Sequence, residues 1–174
     1  MLLILSGADD RKNNVSINNE PDYVVHQYSD MIYGIALSHT CKKEDAEDIL
    51  QETFLIYYRK RKSFADEDHR KAWLIKVALN CCKRVHAQRK KHEYTPIDLV
   101  DVPIQFESKE DSAVYSAVLA LPNSLKSVIY LYYFEDLSAK EIGEIVGIRE
   151  PAVFMRLSRG RALLKEMLKG EYDL

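Results

Sequence analysis

Arginines recur at close spacing near the end of the chain, where Arg156, Arg159 and Arg161 follow Ala152 and Met155. The guanidinium group is a planar fork that can bind phosphate oxygens or the edge of guanine with two hydrogen bonds. At about 100° per residue, most of these side chains lie opposite the apolar stripe of a helix. That stripe consists of Val153, Leu157, Gly160, Leu164 and Leu168. The pattern favours a helix that packs on one side and binds nucleic acid on the other.

A second, shorter helix is predicted just before this one. Ser138 and Glu141 form a capping-box pattern, in which the serine caps free amides and the glutamate reaches back. Gly147 is predicted to end this helix, and Pro151 suits the first turn of the next one. A short helix, a glycine turn and a long helix with arginines opposite its core is the geometry of a helix-turn-helix that reads the major groove. The alternative is a solvated basic face on an ordinary helical hairpin.

Basic residues are also concentrated between 83 and 91, where Lys83 and Arg84 begin a run without an acid. Such a run suits a nucleic-acid backbone. A solvated helix end, with lysines near the negative end of the helix dipole, explains the run equally well.

Two residues upstream of this run could contact bases. Asn80 adjoins a predicted core stripe made of Trp73, Leu74, Val77, Ala78 and Cys81. Its amide could be a hydrogen-bonded structural group, or it could read the edge of adenine. Phe64, in a polar segment at 62–69 that is predicted to be a loop, could stack on an unpaired base.

Acidic residues are concentrated between 44 and 52, at the start of a predicted helix over 44–60. Its apolar stripe consists of Ala46, Ile49, Leu50, Thr53, Phe54 and Tyr57. The opposite side holds Asp48, Gln51, Glu52 and, among them, Leu55. An apolar residue ringed by acids indicates a small interface for a basic protein partner. From the pattern alone, a chance exposed leucine is the better interpretation, since single exposed apolar residues are common.

Chemistry of other kinds finds little support in the sequence. There is no Ser/His/Asp or Cys/His arrangement and no glycine-rich phosphate loop, so we expect no enzyme and no cofactor. The 3 cysteines and 5 histidines lack ligand spacing, so we expect no metal site. The N-terminus lacks the pattern of a signal peptide, and no stretch of about 20 apolar residues could span a membrane. These features favour the cytoplasm.

Composition and patterning predict an all-α fold of two small helical domains joined by a flexible linker. The 174 residues are 47% hydrophobic, with 6 Gly and 5 Pro, so helices are favoured and a packed core is expected. Residues 1–20 are predicted to be loose, and the first domain is predicted at 21–93, with its third helix at 70–91. Residues 94–111 have two prolines and no helical period, which predicts the linker. The second domain is predicted at 112–174.

Several segments together resemble the extracytoplasmic-function group of the bacterial sigma-70 family. These segments are Asp45–Phe54, Ala72–Asn80, Leu121–Asn123 and Leu131–Ile142. The resemblance covers about residues 22–170, with both motif blocks in the expected order. It implies that region 2 of a sigma factor lies in the first domain and region 4 in the second.

The resemblance also implies roles for the residues above. The acidic helix would dock on the clamp helices of the RNA polymerase β′ subunit through Asp45, Asp48, Gln51, Glu52 and Leu55. Phe64, Asn80, Lys83 and Arg84 would recognise and open the minus-10 element of promoter DNA. The helix-turn-helix would read the minus-35 element through Ala152, Met155, Arg156, Arg159 and Arg161. Contacts with the polymerase β flap, and an anti-sigma factor that is commonly membrane-bound, belong to the same expectation.

The recognition helix departs from the family at three positions. The family usually has threonine at the position of Ala152 and polar residues at Phe154 and Met155, whereas the arginines match. Backbone anchoring is therefore expected to be intact, and Ala152 and Met155 could pack on a thymine methyl group.

Two other classes of protein compete with this interpretation. A stand-alone helix-turn-helix regulator would explain residues 112–170 but would leave the acidic helix without a role. A structural adaptor built of paired helices predicts no salt-dependent DNA binding at all. The net charge of −2 fits a factor that binds promoters together with polymerase, since two modest affinities on one chain combine into one effective site.

Overall fold

The computed structural model describes residues 20–89 and 109–169. These residues form helices and no β-strand, which confirms the all-α prediction. Residues 1–19 of the predicted N-terminal segment and residues 94–108 of the predicted linker lie outside them. The helices are α1 Pro21–Thr40, α2 Lys43–Lys60, α3 Glu67–Arg89, α4 Lys109–Ala120, α5 Asn123–Tyr133, α6 Ala139–Val146 and α7 Glu150–Leu168.

The first half of the protein, α1 to α3, is a bundle in which each helix packs against the other two. Ile32 and Ile35 of α1 meet Leu74 of α3 in one buried apolar cluster. Cys41 ends α1 in the left-handed conformation, with φ of 53°, and its N–H donates to the Leu37 carbonyl at 2.9 Å. This sharp end turns the chain back into α2 after two residues.

The start of α3 differs from the sequence prediction. Residues 67–69 were expected in a loop because the segment is polar and acidic, but α3 begins at Glu67. The Asp66 carboxylate accepts a hydrogen bond from the His69 amide at 2.8 Å, as an N-cap does. Glu67 and Asp68 then lie in the first turn, where acidic side chains oppose the positive end of the helix dipole.

The second half, α4 to α7, packs around α7. Gly160 of α7 faces Ile129 of α5, and a Cβ built there would lie 2.7 Å from an Ile129 side-chain carbon. Glycine therefore permits the close approach of these two helices. The first helix of this half begins at Lys109, so residues 109–111, which were predicted to end the linker, are helical.

The two halves pack against each other along a surface that we call the seam. The Lys71 ammonium of α3 donates to the Glu135 carbonyl at 3.2 Å and pairs with its carboxylate at 3.4 Å. Helix α3 thus contacts α1 and α2 on one side and α6 on another. Leu79, outside the predicted stripe, is buried where it lines the boundary with the second half. Ile75 and Cys82 are buried as well.

Candidate nucleic-acid interface

The helix-turn-helix is built as the sequence predicts. The Glu141 amide donates to the Ser138 hydroxyl at 3.3 Å, and the Ser138 amide donates to the Glu141 carboxylate at 2.8 Å. Gly147 ends α6 with φ of 77°, and its N–H and that of Ile148 both donate to the Gly143 carbonyl at 2.9 Å. These bonds set the angle at which α7 leaves the turn.

Helix α7 presents a mixed apolar and basic face to solvent. Met155 is 56% exposed and Phe154 51%. Arg159 and Arg161 are also exposed, whereas Ala152 and Arg156 are half-buried. The Arg161 guanidinium donates to the Tyr133 hydroxyl at 3.4 Å, which steadies this side chain against α5. Of the predicted core stripe, Val153, Leu157 and Gly160 are buried, whereas Leu164 and Leu168 are half-buried.

Arg156 is half-buried because it lines a cleft on the seam, with a volume of about 470 Å³. Lys76, Asn80 and Lys83 of α3 line the same cleft. No aspartate or glutamate is found among the described residues that line it. The structure thus brings one predicted minus-35 residue next to two predicted minus-10 residues, and like charges face each other.

The exposed amide of Asn80 makes no hydrogen bond with any described residue. The sequence left two interpretations of Asn80, a hydrogen-bonded structural amide or a group that reads a base edge. The structure gives no support to the first. The group is available to a ligand in the cleft.

The segment before α3 is held by an aromatic cluster. Phe64 is half-buried and stacks on Tyr57, with ring centroids 6.1 Å apart and 8° between planes, and its ring meets Trp73 at 5.7 Å. The Lys62 ammonium lies 5.8 Å from the Phe64 centroid, within range of a cation–π contact. Phe64 thus holds its segment by packing against other aromatic rings. The sequence did not reveal this structural role.

An ion pair between the buried Arg70 and the half-buried Glu67 lies next to the same segment, with the Arg70 guanidinium 5.9 Å from the Phe64 ring centroid. Arg70 is fully buried, with its guanidinium 3.3 Å from the Glu67 carboxylate. The Tyr28 hydroxyl donates to the other Glu67 oxygen at 2.5 Å. Burial and this bond raise the pKa of Tyr28 above its ordinary range, so the hydroxyl remains a donor. This network was not predicted, because an arginine near a helix start gives no sign that it is buried.

The acidic face of α2 carries an exposed leucine. Leu55 is 51% exposed, and Asp48 and Gln51 next to it on the helix surface are exposed as well. Glu52 forms an ion pair with Arg84 of α3 at 2.5 Å, so the predicted polymerase face and the predicted minus-10 face adjoin. Asp45, half-buried, pairs with Arg89 and is less available to a partner.

Comparison with known proteins identifies the family. Residues 24–92 match Sigma-70 region 2, and residues 111–164 match Sigma-70, region 4. The ECF RNA polymerase sigma factor SigM of Bacillus subtilis is 31% identical over 153 residues, which cover 84% of this chain and 93% of that protein. The chain belongs to the extracytoplasmic-function group of the sigma-70 family. It is a sigma factor that directs RNA polymerase to promoters.

Two further likenesses place this sigma factor among its relatives. The ECF RNA polymerase sigma factor SigE of Mycolicibacterium smegmatis is 28% identical over 84% of this chain, which spans 61% of that protein's length. The solved structure of the sigma factor RpoE in complex with the anti-sigma factor NepR, from Bartonella quintana, has a TM-score of 0.74 with 24% identity. The match covers 85% of this chain and 96% of that one. This likeness supports the same fold.

The thiols of the sigma factor are free where the structure describes them, and Cys81 and Cys82 are buried. Burial raises the pKa of Cys82 to about 12, so this thiol stays protonated at neutral pH. Among the described helices, none is long and apolar enough to cross a bilayer.

Proposed function

We propose that α7 of this sigma factor enters the major groove of the minus-35 element. Arg159 and Arg161 would hold the phosphate backbone, and Arg156 would join them once it leaves the cleft. Ala152 and Met155 lie toward the start of α7, the part of a recognition helix that contacts base edges. Their apolar surfaces suit a thymine methyl group.

The first half would take the minus-10 element. Asn80, Lys83 and Arg84 share one side of α3, and the unpartnered amide of Asn80 is available to a base edge. The segment with Phe64 is fixed on Tyr57 and Trp73, so it can meet an unpaired base without first becoming ordered. Phe64 would contact such a base while it keeps its stack on Tyr57.

Helix α2 would dock on the β′ clamp helices. Leu55 is the apolar centre of this surface, and Asp48, Gln51 and Glu52 surround it, with Asp45 at its edge. An exposed apolar residue within a charged rim is the arrangement of an interface hot spot. The second half would contact the β flap, with the halves working as separate domains over 21–93 and 112–174.

Promoter binding requires the two halves to separate at the seam. Arg156 and the pair Asn80 and Lys83 line one cleft, and B-DNA, with a major groove about 12 Å wide, cannot reach both sets while they face each other. The packed arrangement is therefore the form away from DNA. An anti-sigma factor that covers these surfaces would hold the protein in such a form.

The exposed face of α7, after a capped α6 and a glycine turn, is the observation that carries this proposal. In vitro transcription with core polymerase on a promoter library tests it, preceded by gel filtration of the mixture at low salt. We expect co-elution with polymerase and transcripts from promoters that share a minus-35 and a minus-10 element. If the protein fails to co-elute, the assignment of α2 is wrong. If it binds promoters equally well without polymerase, it is a stand-alone regulator.

A further inference from the structure

A second cavity lies on the seam, beside the cleft, with a volume of about 440 Å³. We call it the seam cavity. The ends of α1 and α3 form one wall, through His39, Cys41 and Arg89 among others, and the turn between α4 and α5 forms the opposite wall. Its size falls in the range of pockets that hold small organic ligands.

Lys126 of α5 lines the seam cavity and is 4% exposed. Its ammonium group makes no hydrogen bond or ion pair with any described residue. A largely buried cation without a protein partner is unfavourable, because it has lost much of its hydration and gained no hydrogen bond or ion pair in exchange. Burial accordingly lowers the pKa of Lys126, although the nearby thiols of Cys41 and Cys82 raise it. The Lys126 ammonium thus has no negative charge beside it, and the seam cavity has room for an anion.

The N-terminus of α5 provides a second donor at the same wall, where Asn123 lines the seam cavity. Pro122, the N-cap residue, has no side chain that could cap the helix. The amides of Leu125 and Lys126 donate to the Pro122 carbonyl at 2.9 Å. The amides of Asn123 and Ser124 have no partner among the described residues. Free amides at the positive end of a helix dipole form a site for anions.

The rest of the described lining adds basic side chains and no acid, although the charge of Arg89 is already balanced by Asp45. Arg89 lines it while its guanidinium donates to the Thr40 carbonyl at 3.1 Å and pairs with Asp45. His86 lines the same wall. None of the described residues that line the cavity is an aspartate or a glutamate.

We propose that the seam cavity binds a small phosphate-bearing anion, held by the Lys126 ammonium and the free amide of Asn123. A phosphate group offers several acceptor oxygens, which suit a cavity lined by both a lysine and the first residue of a helix. Arg89 and His86 come from the first half, whereas Lys126 and Asn123 come from the second. A ligand between them stabilises the packed arrangement, because it binds that arrangement and not the separated one. The effect on promoter use rests on the proposed function, but the binding itself does not.

Calorimetric titration of the free full-length chain tests the site. The probes are inorganic phosphate, pyrophosphate and a nucleoside diphosphate, each at constant ionic strength. Lys126→Met is the test variant, and Lys140→Met, at an exposed lysine of α6, is its matched control. We expect the parent and Lys140→Met to bind at least one probe equally, and Lys126→Met to bind it about tenfold more weakly. Tighter binding of the diphosphate than of phosphate assigns the ligand as an organic phosphate rather than the free ion.

A second pair of variants tests the amides without altering the lysine. Asn123→Pro removes one free amide and keeps α5, because proline suits the first helical position and Pro122 already has the extended ψ of 138° that precedes a proline. Asn123→Ala keeps the amide. We expect weaker binding for Asn123→Pro than for Asn123→Ala, with equal helicity by circular dichroism. No binding of any probe by the parent at about 5 mM, or equal binding by the parent and both Lys126→Met and Asn123→Pro, would overturn the proposal.

Discussion

The Nε2 atom of His39 lies 2.8 Å from the hydroxyl oxygen of Ser127, so a buried imidazole of α1 is bonded to α5 in the other half. The Nδ1 atom faces the Ile35 carbonyl at 3.0 Å. Because a carbonyl can only accept, the neutral ring carries its proton on Nδ1. The Ser127 hydroxyl also lies 2.9 Å from the Asn123 carbonyl, so its single proton can be donated to that carbonyl or to Nε2, but not to both at once. This pair is a polar contact of the seam that depends on the protonation state of the ring.

Acid should weaken the packed protein through His39. Burial lowers the pKa of His39 to about 4 from the ordinary 6.5, and the nearby charges of Lys126, His86 and Lys83 act in the same direction. Because the folded protein holds His39 neutral at pH values where the unfolded chain protonates it, acid favours unfolding. The contribution of neutral His39 to the free energy of unfolding is complete above pH 6.5 and is lost as the pH falls toward 4. We expect a loss of about 2 kcal/mol between pH 7 and pH 5 from this residue.

Urea unfolding at several pH values measures this loss. His39→Gln is the matched control, because glutamine does not titrate. The carboxylates are the same in both proteins, so their contribution to the pH dependence of stability cancels in the comparison. The free energy of unfolding should fall more steeply in the parent than in the variant over this range. Parallel curves for the two proteins would show that His39 does not titrate as described.

A methyl group at Gly34 should disturb the seam. A Cβ there would lie 2.4 Å from the Tyr130 hydroxyl oxygen and 3.6 Å from the ring carbon that carries it. The Tyr130 ring cannot easily move, since it stacks on Phe134 with centroids 4.8 Å apart. We expect Gly34→Ala to destabilise the packed protein by about 1–3 kcal/mol and to increase its radius of gyration in solution scattering.

The double variant Gly34→Ala with Tyr130→Phe is the control for this clash, because phenylalanine lacks the hydroxyl. It should recover much of the compactness that Gly34→Ala loses. A double variant as expanded as the single one would place the effect in α1 itself rather than across the seam.

Truncating Leu55 should weaken binding to core polymerase. The side chain is 51% exposed, so Leu55→Ala leaves the core of the bundle intact. If Leu55 is the centre of the docking surface, we expect the dissociation constant to rise about tenfold or more, as measured by surface plasmon resonance. Val25→Ala, at a residue of α1 that is 38% exposed, should bind as the parent does. Unchanged affinity of Leu55→Ala would remove Leu55 from the interface.

Removing the guanidinium of Arg159 should reduce transcription from the promoter without weakening binding to core polymerase. The residue is exposed on α7, so Arg159→Ala should keep the fold and the affinity for core polymerase. Run-off transcription from a promoter with a minus-35 element should fall about tenfold. Lys169→Ala, at an exposed residue just after α7, serves as the control. Equal transcripts from Arg159→Ala and the parent would contradict the groove assignment.

Local features of the fold could be predicted, because they depend on a few neighbouring residues. The start of α6 is determined by the side chains of Ser138 and Glu141, and its end by the backbone preference of Gly147. The start of α3 was misplaced for a local reason as well. Its acidic residues are typical of both loops and first helical turns, and the capping role of Asp66 decides between them.

Features that depend on the packing of the halves could not be predicted. The burial of Lys126 and Leu79, and the meeting of Arg156 with Asn80, arise from contacts between segments far apart in the sequence. Periodicity reveals which face of a helix is apolar, but it does not reveal a second partner on another face. The sequence therefore predicted each candidate surface separately, but it did not predict that two of them line one cleft.

The cleft that holds Lys76, Lys83 and Arg156 has a consequence for the cellular pool of the protein. A chromosome offers roughly a million or more competing sites to any exposed cationic surface, and non-specific attachment grows with each phosphate that a lysine or arginine neutralises. If the halves separate only on polymerase, as proposed, the half-buried Arg156 is withheld from random stretches of the genome until then, and fewer molecules are lost to them. The freely diffusing fraction, which alone can compete for polymerase, is thereby kept large.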